Sequence, residues 1–203
     1  MKKRPHAIHL TLAALLLVAL CWGCGQEAAQ EPAAEAALSQ EELGEYSHGI
    51  AARDMRFFWT LQGDSIDVKL SAPTNGWMGI GFNPDVPENR KGASFLIGSV
   101  KGGEAQVVDH YGTELKKHKE DEKIEGKSDV SNVSRSEQDG QTVLEFTVPL
   151  DSGDAKDKPV DAQGDTVVLL AYGRSDSIVL KHRFRAILKV NLSSGEHSVL
   201  KMK

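Results

Sequence analysis

From Asp54 onward, apolar and polar residues alternate in short runs broken by Gly, Asp, Asn and Pro, which is the two-residue period of half-buried β-strands. Phe57, Trp59 and Leu61 alternate, Gly63-Asp64 offers a turn, and Ile66, Val68 and Leu70 alternate again, predicting a hairpin that opens the fold. Pro73 to Gly76 predicts a second turn, and a strand follows over Trp77 to Phe82. Gly79 and Gly81 interrupt that strand between large residues, so backbone, a ligand or an aromatic ring is expected to come close there. Further strands are predicted over 93–100, 104–111, 130–136, 142–148, 166–172 and 182–192. With about nine strands and no amphipathic helix, the chain reads as all-β: an antiparallel, immunoglobulin-like β-sandwich with Leu144, Phe146 and Val148 among its inward residues. The segment HYGTELKKHKEDEKIEG, from His110 to Gly126, reads as a long polar excursion. The acids of DSGDAKDKPVDAQGD could collect calcium, but they lack EF-hand spacing and the segment reads as a hydrophilic loop.

The N-terminus follows a different pattern. Lys2, Lys3 and Arg4 precede an apolar run from Ala7 to Leu20, shorter than the roughly 20 residues of a stable membrane span. MKKRPHAIHLTLAALLLVALCWGCG resembles a bacterial lipoprotein export signal, with Cys24 after the small residue Gly23 as the processing point; Cys21 follows bulky Leu20. The resemblance implies a signal peptide over 1–23, lipidation of Cys24, and a membrane tether made stable by more than one acyl chain. No aspartate follows Cys24, so the expected location is the bacterial cell envelope, at the outer membrane where there are two. Residues 24–45 comprise the lipidated cysteine and an Ala- and Glu-rich stretch too poor in apolar bulk to fold, read as a flexible spacer; 46–203 form the domain.

The formal charge is −5, and removal of the three N-terminal bases makes it more acidic, which argues against nucleic acid as a partner. Cys21 and Cys24 are the chain's two cysteines, so once Cys24 carries lipid the mature protein has no disulfide, no catalytic thiolate and no haem held by a cysteine pair.

Five segments in order resemble the DOMON family of extracytoplasmic sandwich domains, which includes haem b cytochromes and sugar-recognising modules: GWMGIGFNP, RKGASFLIG, VVDHYG, LEFTVPLDSGD and LLAYGRSDSIVLKH. In the haem-binding members, a methionine after the GW strand and a histidine near a late strand hold the iron from opposite sides. The resemblance places His182 at the histidine position and Arg90 where the methionine would stand. Arginine offers donors but no lone pair, so His182 is the implied metal ligand, with a five-coordinate iron or a substitute partner. Met78 has a suitable atom, yet its place in an alternating strand favours core filling over ligation; His110 and His118 are further candidates. Arg90 could pair with a haem propionate, Trp77 and Phe82 would flank the ring, and Asp109, Tyr111 and Asp176 fall on recurring family positions at the expected pocket rim.

Three functions therefore compete. The first is a surface-attached haem b domain for electron transfer, with cofactor contacts from His182, Met78, Trp77 and Arg90 and a redox partner. The second is a non-haem module for carbohydrate or another small ligand, favoured by loss of the methionine. The third is a structural lipoprotein that binds a partner. Enzymatic activity has no support from HExxH, GxSxG or P-loop patterns, none of which occurs.

Overall fold

A computed structural model describes residues 38–101 and 104–203; Cys24, with the signal and most of the spacer, lies outside the described residues. The described chain begins with a single helical turn, α1 (Gln40–Leu43), closed by a capping box in which Ser39 and Glu42 satisfy each other's main-chain amides. Leu38 and Leu43 lie beside Gly49 and the ring of Phe58, so the end of the predicted spacer packs on the domain.

Twelve strands follow among the described residues, all paired antiparallel. One sheet has five: β1 (His48–Ala52), β2 (Met55–Gln62), β3 (Ser65–Ala72), β8 (Ser131–Gln138) and β9 (Gln141–Pro149), in the order β1-β2-β3-β9-β8. The other has seven: β4 (Met78–Phe82), β5 (Ser94–Lys101), β6 (Glu104–Glu114), β7 (Lys117–Glu120), β10 (Asp165–Tyr172), β11 (Phe184–Asn191) and β12 (His197–Met202), in the order β12-β11-β10-β4-β5-β6-β7. The predicted hairpin is β2–β3, with Gln62 opposite Ser65 across Gly63-Asp64. The β8–β9 hairpin turns on Asp139-Gly140, both with positive φ, as a two-residue turn matched to strand twist requires.

The two sheets face each other as an all-β sandwich. From the five-stranded sheet, Phe57, Trp59, Val68, Leu144 and Phe146 point inward; from the seven-stranded sheet, Met78, Ile80, Phe82, Leu170, Tyr172 and Leu188 meet them. Trp59 stacks on Phe57 at 4.6 Å between ring centres and donates its indole N–H to the Leu192 carbonyl at 2.8 Å, so its one polar atom is satisfied in the core.

β1, β7 and β12 were not predicted, and all three end a sheet. Edge strands are kept short and polar to discourage pairing with other chains, and KHKE in β7 has no alternation to read. The polar excursion 110–126 therefore contains the end of β6, all of β7 and a 3₁₀ turn over Asp121–Ile124. The last predicted strand starts late: β11 opens at Phe184, leaving His182 in the loop before it. No helix among the described residues is long and apolar enough to cross a membrane.

Candidate functional site

The outer face of the seven-stranded sheet forms the floor of a cleft of about 1090 Å³. Strand register builds that floor as two rows. Arg185, Ala171, Gly79 and Ile97 are aligned across β11, β10, β4 and β5, and Ile187, Leu169, Gly81 and Phe95 form the row beside them. The two glycines have different neighbours. A Cβ on Gly81 would lie 2.5 Å from Phe95 Cδ1, so the phenyl ring of the adjacent strand already occupies that space. At Gly79 a Cβ would approach the Leu96 carbonyl at 3.2 Å and the edge of Ile97 at 3.4 Å, and no side chain lies across it. Small Gly79 and Ala171 thus leave a shallow trough between larger neighbours.

Loops make the walls. The β4–β5 loop contributes Pro87, Glu88, Asn89 and Arg90, the β6–β7 turn Leu115 and Lys116, β7 His118, and the β10–β11 loop Arg174 and Lys181 to Arg183. Trp77 precedes β4 and packs against Gly173; its buried Nε1–H has no acceptor and the residue borders the cleft. Leu115 at the rim and Val179 and Leu180 in the loop that carries His182 are exposed, at 62%, 87% and 58%. Of the three, Leu115 lines the cleft.

The cleft is cationic in an acidic chain. Arg90, Lys116, Arg174, Lys181, Arg183, Arg185 and Lys203 line it, against Glu88 as the one carboxylate, and none of these cations takes part in an ion pair among the described residues. Arg90 is held by the β6–β7 turn: its main-chain N–H donates to the Leu115 carbonyl and Nη1 donates to the Lys116 carbonyl at 2.9 Å. Burial, with Arg185 nearby, pulls its guanidinium below its usual pKa. Burial also lowers the His182 imidazole; its own main-chain carbonyl opposes this, and Arg185, Arg90 and Lys181 reinforce it. The neutral form of His182 is therefore favoured, and the residue lines the cleft. His118 meets His110 with Nδ1 atoms 3.1 Å apart, and burial, His110 and Arg90 hold His118 down at about 4.

His182, Arg90 and Trp77 are thus brought together, and His118 joins them. Met78 is not with them: it sits 1% exposed in the inter-sheet core, on the face of β4 opposite Gly79. Phe82 is likewise in the core. Asp176 approaches Arg135 at 3.4 Å, and Asp109 faces inward, away from the cleft, because it extends the inner row of Leu170, Ile80 and Leu96.

The residues present fit a flat, mostly apolar, anionic group such as haem b. The floor is apolar with a trough, a neutral imidazole and an orphaned indole N–H border it, unpaired cations are available for two carboxylates, and the volume is at the upper end of the usual few hundred to about 1,000 Å³ for ligand pockets. The fit is one-sided in ligands, since Arg90 has no lone pair for a metal.

Sandwich, outer-face cleft and loop-borne histidine make this an all-β domain with a cleft of ligand size on one sheet face. Residues 52–173 match the DOMON domain, and the chain belongs to that family. Among solved structures, the chain is similar to the cytochrome b domain of pyranose dehydrogenase from Coprinopsis cinerea, at a TM-score of 0.51 and 13% identity over 80% of this chain and 84% of that one. It is also similar to the cytochrome domain of Myriococcum thermophilum cellobiose dehydrogenase, at a TM-score of 0.44 and 13% identity over 60% of this chain and 62% of that one. At such identities the likeness concerns the fold.

Proposed function

We propose that this chain is a haem b-binding DOMON domain for electron transfer at the bacterial cell envelope, with His182 as the residue that would hold the iron. The observation that carries the reading is the apolar, cation-lined cleft on the outer sheet face with His182 at its edge. Haem held there would supply a one-electron carrier. The remaining chemistry belongs to the protein. His182 would supply a neutral nitrogen, Gly79 and Ala171 keep the floor low, and Leu115 would exclude water at the rim. Arg90 and the cations of the β10–β11 loop neutralise the propionates. Arg90 stands at the methionine position and has no lone pair, so His118, the other imidazole at the cleft, would be the further residue able to hold the group.

The test is an absorption spectrum of the full chain with haem supplied, before and after dithionite. The reading predicts a Soret band and sharpened reduced bands that His182→Ala weakens. A folded, colourless protein would overturn it. The unpaired cations and the missing methionine favour a second reading, a non-haem module for an anionic small ligand such as an acidic sugar, and that outcome would move the weight there. The reading also includes a lipid tether at Cys24; Cys24→Ala should move the protein from the membrane to the soluble fraction, and an unchanged membrane fraction would refute the tether.

A further inference from the structure

On the far side of β6 from the cleft, three carboxylates meet that nothing in the haem reading uses. Asp109 comes from β6, Asp121 from the 3₁₀ turn and Asp157 from the β9–β10 loop, with one oxygen of each lying within 4.8 Å of the others. Asp109 is 4% exposed and Asp121 is fully buried. Neither Asp121 oxygen has a hydrogen-bond partner, and Asp109 Oδ1 and the nearby Asp129 Oδ2 have none either. Among the described residues, no Lys or Arg forms an ion pair with any of the three. Asp109, Asp129, Ser152 and Asp157 line a cavity of about 30 Å³, close to the share of volume one water occupies.

We propose that Asp109, Asp121 and Asp157 bind a calcium ion. Buried carboxylates without partners are strongly disfavoured unless protonated or neutralised by a cation. Burial and mutual repulsion push Asp109 up to about 8 and Asp121 up to about 7, as expected of a group of anions lacking its counter-ion. The donors are oxygens only, which selects a hard cation over zinc or copper. Ligand oxygens at 2.3–2.6 Å from one Ca²⁺ lie at most about 5 Å apart, matching the separation here, whereas Mg²⁺ keeps several waters and takes one or two carboxylates. Other acids of the β9–β10 loop are committed elsewhere: Asp151, Asp154 and Asp161 each accept a main-chain N–H two residues on. Asp157 accepts from Ser152 Oγ at 2.6 Å and is the loop acid that joins the buried group.

The test is calorimetric titration of chelator-stripped full chain with CaCl₂, paired with thermal melts in CaCl₂, MgCl₂ and EDTA. One ion per chain is expected, with a midpoint rise of about 5–10 °C at a hundredfold excess over Kd and a much smaller response to Mg²⁺. Asp121→Asn should weaken Ca²⁺ binding at least tenfold while leaving the ion-free protein folded and no less stable, because it removes one buried charge. Wild-type protein that takes up no Ca²⁺ at 1 mM and melts identically in EDTA would overturn the site, whatever the variant does. So would an undiminished Ca²⁺ response in both Asp121→Asn and Asp157→Asn.

Discussion

Gly79 and Gly81 are two residues apart on the same face of β4, yet alanine should have opposite consequences at each. At Gly81 the new methyl would lie 2.5 Å and 2.6 Å from two atoms of the Phe95 ring, below any tolerable contact. The ring must move, and overpacking of this kind costs about 1–3 kcal/mol. For a chain of this length that is a fall in melting midpoint of about 2–12 °C. At Gly79 the nearest atoms are 3.2 Å and 3.4 Å away, so a shift of a few tenths of an ångström suffices. The relief of glycine's conformational entropy, about 0.5–1 kcal/mol, offsets that strain, and the midpoint should stay within about 2 °C of wild type. The Gly79 methyl nevertheless stands up from the trough and should weaken haem uptake, followed as Soret absorbance in a titration, by at least tenfold. Thermal melts and haem titrations of both variants decide the matter. If Gly79→Ala melts many degrees low while Gly81→Ala melts with wild type, the open floor has been assigned to the wrong glycine. If Gly79→Ala binds haem unchanged, the trough is not where the ring lies.

Trp59→Phe should cost about 2–4 kcal/mol in urea denaturation, because it opens a cavity beside Phe57 and leaves the buried Leu192 carbonyl without its donor. His118 should contribute a loss of stability as the pH drops from about 6.5 toward 4, because it is held at about 4 when folded and titrates near 6.5 when unfolded; Asp109 and Asp121, raised to about 8 and about 7, contribute in the opposite sense. Urea midpoints of wild type and His118→Gln measured across the window isolate that contribution: wild type should lose stability relative to the variant as the pH falls, and a difference that does not change with pH would refute the assignment; His110, His182, Asp109, Asp121 and Asp157 affect both proteins alike.

The sequence made the sandwich legible wherever alternation was strong, as in β2, β3, β9 and β10, because an inward face written every second residue needs no partner to be read. It hid β1, β7 and β12, whose pairing lies on one side only: β7 and β12 are largely solvent-facing, and β1 offers just Ile50 and Ala52 to the core, too short an alternation to read. Much of the cleft was legible as well. Gly79 and Gly81 marked a close approach, His182 and Arg90 followed from the family resemblance, and all except Gly81 line the cleft; the difference between an open glycine and one covered by Phe95 depends on cross-strand register. The excess of cations was not legible, because Lys116, Arg174, Arg185 and Lys203 come from four places in a chain whose net charge is negative. For Asp109 a signal existed and was passed over. It occupies the inward position two residues after Val107, where alternation calls for an apolar side chain, and a carboxylate there needs a partner.

The two candidate sites share β6, and that sharing gives the acid group a mechanical role. Asp109 turns inward toward Asp121 and Asp157, while His110, the next residue, turns outward to His118 at the cleft wall. Asp121 follows β7 directly, and the β6–β7 turn supplies the carbonyls that hold Arg90. β7 is a four-residue edge strand with a register shift in its pairing to β6, so its own ladder is a weak anchor. A cation joining β6, the 3₁₀ turn and the β9–β10 loop would fix the C-terminal end of that strand, and with it the wall bearing His118. The order of the cleft wall would then depend on the ionic state of residues that never touch the ligand.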